Sequence, residues 1–135
     1  MTIRYLLDTN IVSHLIRPES HTAQSHLISI KPDRFAISAV TEAELLFGLA
    51  RKPEAVRLAN SVREFLLDAT IFPWDSKAAL EYGNLRAALE RSGQAIGNMD
   101  MMIAAHALAE SLILVTNDAA FQRIPGLKTE DWTRA

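Results

Sequence analysis

The 135-residue chain has no cysteine. Disulfide frameworks, thiolate zinc sites, iron–sulfur clusters and thiol nucleophiles are thereby excluded. Glycine and proline are scarce, five of each. No tract repeats, so collagen-like and low-complexity chains are excluded as well. Neither sign of charge dominates: 14 Lys and Arg stand against 16 Asp and Glu, for a net charge of −2. A binder held to nucleic acid by bulk basic charge does not fit that balance. Every apolar run falls far short of the ~20 residues that cross a bilayer. Met1 to Leu7 lacks the apolar core of a signal peptide. A cytoplasmic protein without a membrane segment is the expectation.

What is present suits one globular domain over residues 1–135, with 49% hydrophobic and 22% charged residues. Mean hydropathy is slightly apolar at +0.06, which leaves material for an exposed apolar face. The cations are mostly arginine, whose planar fork suits phosphate better than lysine does.

Short apolar segments alternate with amphipathic ones. Ile3 to Leu7 reads as a buried strand that ends abruptly at Asp8. Asn10 to Ile16 reads as a helix stopped by Pro18, and His21 to Ile30 as a weaker helix. Phe35 to Ser38 is a second strand. Thr41 is placed to cap a helix running to about Arg51. Pro53 opens the next helix, in which Val56, Ala59, Val62, Phe65 and Leu66 share one face. Thr70 to Phe72 is a third strand, and Asp75 or Ser76 starts a long helix that Gly93 stops. Asn98 is placed to cap a helix from Met99 to about Glu110. Leu112 to Val115 reads as a strand buried on both faces. A short helix from Asp118 to about Arg123 leads into a tail at Leu127 to Trp132. This alternation predicts an α/β domain of three layers, a mostly parallel central sheet flanked by helices.

In such a sheet the carboxyl ends of the strands line the ligand crevice. Asp8 and Asp118 follow the first and the last apolar strand directly. Glu44 and Asp100 fall in the first turns of two helices, which begin where strands end. The fold class thus gathers four carboxylates from distant parts of the chain. An acid in a first helical turn is also an ordinary partner of the helix dipole. Asp8 is the sharper signal, because a carboxylate joined to a buried strand is costly unless something pairs with it. Clustered carboxylates repel and raise one another's pKa values, and a divalent cation removes that conflict. Oxygen donors without Cys or a histidine pair suit Mg²⁺, with Mn²⁺ able to substitute.

Four segments resemble the ordered motifs of PIN-domain nucleases. They are Leu6-Leu7-Asp8-Thr9-Asn10, then Thr41-Glu42-Ala43-Glu44 through Gly48, then Ile96 to Ala107 around Asp100, then Leu114 to Asp118. The tail from Pro125 to Trp132 matches too, so the likeness spans nearly the whole chain. It is specifically to VapC-type toxins of bacterial toxin–antitoxin pairs. The resemblance implies a Mg²⁺-dependent endoribonuclease with Asp8, Glu44, Asp100 and Asp118 as catalytic and metal-holding acids. It implies a substrate in the translation apparatus, tRNA or rRNA, with the anticodon stem-loop of initiator tRNA as one candidate. It further implies a homodimer neutralised by a VapB-type antitoxin, within a larger assembly. Glu44 rather than Glu42 occupies the motif's acid position, and two helical positions differ by about 200° of rotation.

Thr9, Asn10, Thr116 and Asn117 stand beside the acids, where they either orient carboxylates or serve as ordinary turn and cap residues. Arg86 and Arg91 on the long helix are candidate phosphate contacts, or a solvated face. His106 reads as a core or interface histidine, and His14 as a surface one. The apolar residues of Leu45 to Leu49 and the Val56 to Leu66 stripe exceed one core face, as a partner groove would. Two alternatives remain. A haloacid-dehalogenase-like phosphatase also has an Asp after its first strand. It needs an acid where Asn10 stands and a catalytic Lys, but none lies between Lys77 and Lys128. A binding module with purely structural acids would gain no stability from Mn²⁺.

Overall fold

The computed structural model describes residues 2–16 and 34–133. The helix expected from His21 to Ile30 lies outside them. Among the described residues, five strands build one sheet: β1 (Tyr5–Leu7), β2 (Phe35–Ser38), β3 (Ile71–Phe72), β4 (Ile113–Val115) and β5 (Thr129–Glu130). Their order is β3-β2-β1-β4-β5, and every neighbouring pair is parallel. The helices between them are α1 (Thr9–Ile16), α2 (Ala39–Arg51), α3 (Val56–Asp68), α4 (Ser76–Arg91) and α5 (Asn98–Ala109). A short 3₁₀ helix, Ala119–Arg123, precedes β5.

The pleat of β1 divides the core. Leu6 packs in one cluster with Leu85, Leu89, Met101, Ile103 and Phe121, so α4 and α5 cover that face. Leu7 points the other way, into Ile11, Val12, Leu45, Val62 and Trp132, under α1, α2 and α3. α5 is buried nearly all round, from Met101 through Ala107, which fits its apolar sequence. β5, not expected from the sequence, is held by backbone bonds from Leu114 N to Lys128 O and from Thr116 N to Glu130 O, both 2.9 Å. Behind it Trp132 is fully buried and meets Tyr5 edge-on, at 5.3 Å between ring centres. None of the described helices is long and apolar enough to cross a membrane.

Several helix starts differ from expectation: α1 begins at Thr9 rather than Asn10, and α3 at Val56 rather than Pro53. α2 begins at Ala39, and Ser38, at the end of β2, caps it by accepting from Val40 N at 3.1 Å. Thr41 therefore lies inside the helix, fully buried. α5 begins at Asn98 itself, with Gly97 in the cap position and no side-chain cap bond. Ser38 has a second task, since its hydroxyl lies 2.7 Å from Nδ1 of the fully buried His106 on α5. Burial lowers the His106 pKa, and its Nε2 has no partner among the described residues. The ring is thus held neutral in the core. Ser38→Ala removes a cap and orphans Nδ1. It should cost about 1–3 kcal/mol in chemical denaturation; a loss under ~0.5 kcal/mol would show that the Ser38–His106 link contributes nothing.

Candidate active site

The chain runs from β1 outward to β2 and β3, then returns to place β4 on the other side of β1. The strand order therefore reverses between β1 and β4. A crevice opens at the carboxyl ends of strands at such a point. Asp8 follows β1, and Thr116, Asn117 and Asp118 follow β4.

Asp8 is 4% exposed and sits in the cap position of α1, where its Oδ1 accepts from Ile11 N at 2.8 Å. Burial pushes its pKa up to about 6, against the lowering effect of hydrogen bonds from Thr116 and Ile11. Asp100 and Asp118 raise it further through their own charge. Asp100 is half-buried in the first turn of α5, and its pKa is also raised, by burial first and then by Asp118 and Glu44. The four acids thus share one electrostatic neighbourhood.

Glu44 lies on α2, where the Thr9 hydroxyl donates to its Oε1 at 2.6 Å. Thr9 Oγ1 also lies 3.3 Å from Thr41 Oγ1. Asp118 caps the 3₁₀ helix, accepting from Ala120 N at 2.9 Å, while its own N–H donates to Thr116 Oγ1 at 3.1 Å. Thr116 is therefore bonded to both Asp8 and Asp118.

The remaining expected residues lie at the surface. Asn117 is exposed and approaches His14 Nε2 at 3.3 Å. Asn10 is exposed on α1. Arg86 is exposed on α4, its guanidinium held by Glu90 Oε1 and the Tyr82 hydroxyl, both at 3.0 Å. Arg91 is exposed in the last turn of the same helix. Thr41 was expected to act only as a cap; its buried hydroxyl instead reaches Thr9. The signal for this was its spacing of three from Glu44, which places both on one helical face.

In kind, the donors fit a hard divalent cation, being carboxylates with hydroxyls behind them and no thiolate. They are not closed around one: among the described residues, no three of Asp, Glu, His and Cys are gathered tightly enough to hold an ion directly.

Beside the acids a cleft of about 210 Å³ runs between α1, α2 and α3, lined by Thr9, Glu44, Leu45, Leu49, Leu58 and Val62 among others. Leu58 on its lining is more than 40% exposed, as are Leu46 and Phe47 on α2 and Val56 on α3.

A model of the PIN domain matches residues 5–127. Ribonuclease VapC2 of Haemophilus influenzae is 36% identical over 131 residues, covering 96% of this chain and 98% of the relative. The tRNA(fMet)-specific endonuclease VapC of Shigella flexneri is 33% identical over 132 residues, covering 97% and 99%. Among solved structures, VapBC2 from Rickettsia felis bound to a DNA fragment from its promoter superposes with a TM-score of 0.88. It is 36% identical, over 98% of this chain and 99% of that one. The haloacid-dehalogenase alternative falls with this match, and the chain belongs to the PIN-domain family of nucleases, on its VapC branch.

Proposed function

We propose that the chain is a metal-dependent endoribonuclease toxin that hydrolyses a phosphodiester in an RNA of the translation apparatus, in the cytoplasm, and so arrests growth. The observation that carries this reading is the shared electrostatic neighbourhood of Asp8, Asp100, Glu44 and Asp118 at the reversal of strand order, with Asp8 and Asp100 raised by burial and by their neighbours' charge. Holding such groups ionised together costs free energy that a cation recovers. A divalent ion there supplies Lewis-acid chemistry, activating water and offsetting charge on the phosphate. The acids are the residues that would hold it. Thr9 keeps Glu44 in place, and Thr116 joins the Asp8 carboxylate to the backbone N–H of Asp118. Initiator tRNA is the favoured substrate, because a relative at 33% identity is named for tRNA(fMet).

A VapB-type antitoxin is the proposed inhibitor. The cleft between α1, α2 and α3 is lined by Glu44, Thr9 and the exposed Leu58, and α2 and α3 also expose Leu46, Phe47 and Val56. It suits an apolar segment whose basic side chain reaches the acids. The remaining exposed apolar surface suits a homodimer within a larger assembly. Purified chain should cut RNA with Mg²⁺ or Mn²⁺ and stop in EDTA, as read by gel. Undiminished cleavage in chelator would overturn the metal reading.

A further inference from the structure

We infer that Thr41 is a positioning residue of the acid cluster: its buried hydroxyl donates to Thr9, which turns the single Thr9 proton toward Glu44. The inference rests on the metal-site reading above and deepens it. A hydroxyl has one hydrogen to give and two lone pairs to receive with. Thr9 Oγ1 stands 2.6 Å from Glu44 Oε1 and 3.3 Å from Thr41 Oγ1. The shorter contact is to a carboxylate, which only accepts, so the Thr9 hydrogen is committed there. With that hydrogen committed, the longer contact is a bond only with Thr41 as its donor. The result is a chain of two hydroxyls, Thr41 to Thr9 to Glu44, linking α2 to the start of α1 and returning to α2.

The setting of Thr41 supports a task for this hydroxyl. Its residue is 0% exposed, and the other buried residues of α2 are Val40, Leu45 and Leu49. A valine has the same shape and would avoid burying a polar group there. The hydroxyl also constrains more than its own helix. Thr9 adjoins Asp8, and Thr41 lies one turn before Glu44, so the chain of bonds sets the spacing between two acids from different elements. Partners behind a ligand fix its orientation, and their loss typically weakens metal binding by about 10–100-fold.

The test is Mn²⁺ titration of the full-length protein, followed by calorimetry and by the metal-induced rise in Tm. The proteins are the parent, Thr41→Val, Thr41→Ser, Thr9→Val and the Thr9→Val/Thr41→Val double variant. Thr9→Val should weaken Mn²⁺ by ~10-fold or more, and Thr41→Val by roughly 3–10-fold. Thr41→Ser keeps the hydroxyl and should restore binding. In the Thr9→Val background, Thr41→Val should add nothing, because its effect passes through Thr9. The metal-free Tm reports folding independently, and Thr9→Val probes the same link without altering the core should Thr41→Val fold poorly. If the parent shows no Mn²⁺-linked change, the metal-site reading fails and takes this inference with it. If the parent responds but Thr41→Val binds Mn²⁺ like the parent, or its effect simply adds to that of Thr9→Val, only the hydroxyl chain is overturned.

Discussion

Asp8→Asn should abolish RNA cleavage, by ~10²-fold or more, while making the metal-free protein more stable at pH 7. Both effects follow from one placement. Asp8 is 4% exposed, and its pKa is pushed up to about 6 from 3.8, mainly by burial. A carboxyl group whose folded pKa lies above its unfolded value costs stability once it is ionised. That cost is fully present above pH 6 and is relieved as the pH falls through about 6 toward 3.8. Asparagine removes the charge and keeps an oxygen for Ile11 N–H, whose bond to Asp8 caps α1. The expected gain at pH 7 is about 1–3 kcal/mol by urea denaturation, and it should vanish near pH 4. Added Mn²⁺ should reverse the order, stabilising the parent and leaving the variant unmoved. A variant less stable than the parent at pH 7 without metal would show that Asp8 is a structural cap and no more.

The second large effect separates Glu44 from Glu42. Both stand on α2, two residues apart, and two helical positions are about 200° of rotation. Only Glu44 receives the Thr9 hydroxyl, at 2.6 Å. Glu44→Gln preserves size and hydrogen bonding and removes the charge. Cleavage and growth arrest should both disappear, by ~10²-fold or more. Glu42→Gln should stay within a few-fold of the parent, with a stability change of no more than ~0.5 kcal/mol. The reverse pattern in a cleavage assay would move the site to Glu42 and break the register of the second motif.

Legibility in the sequence followed the range of the interactions. Leu112 to Val115 was readable as a strand because burial on both faces leaves a continuous apolar run. Asp8 was readable because a charge at the end of such a strand needs a reason. Their meeting with Glu44 and Asp100 followed from strands and helices alternating, which sends every strand end to one edge. β5 was missed because its Thr129 and Glu130 are polar side chains, and the strand exists through backbone bonds to β4. The start of α2 was misread because Ser38 ends a strand and caps a helix at once, leaving Thr41 buried. The pairing of Thr9 with Glu44 spans 35 residues of sequence and could not be seen in any local pattern.

The most direct measurement is a map of new RNA 5′ ends after brief induction of the parent chain and of Asp100→Asn in parallel. Asp100 lies in the cluster, its pKa raised by burial and by its neighbours Asp118 and Glu44. The parent should produce one dominant new end within an RNA of the translation apparatus, initiator tRNA foremost, and the Asp100→Asn culture should lack it. Identical end profiles in the two cultures would contradict the assignment of an acid-held, metal-dependent ribonuclease.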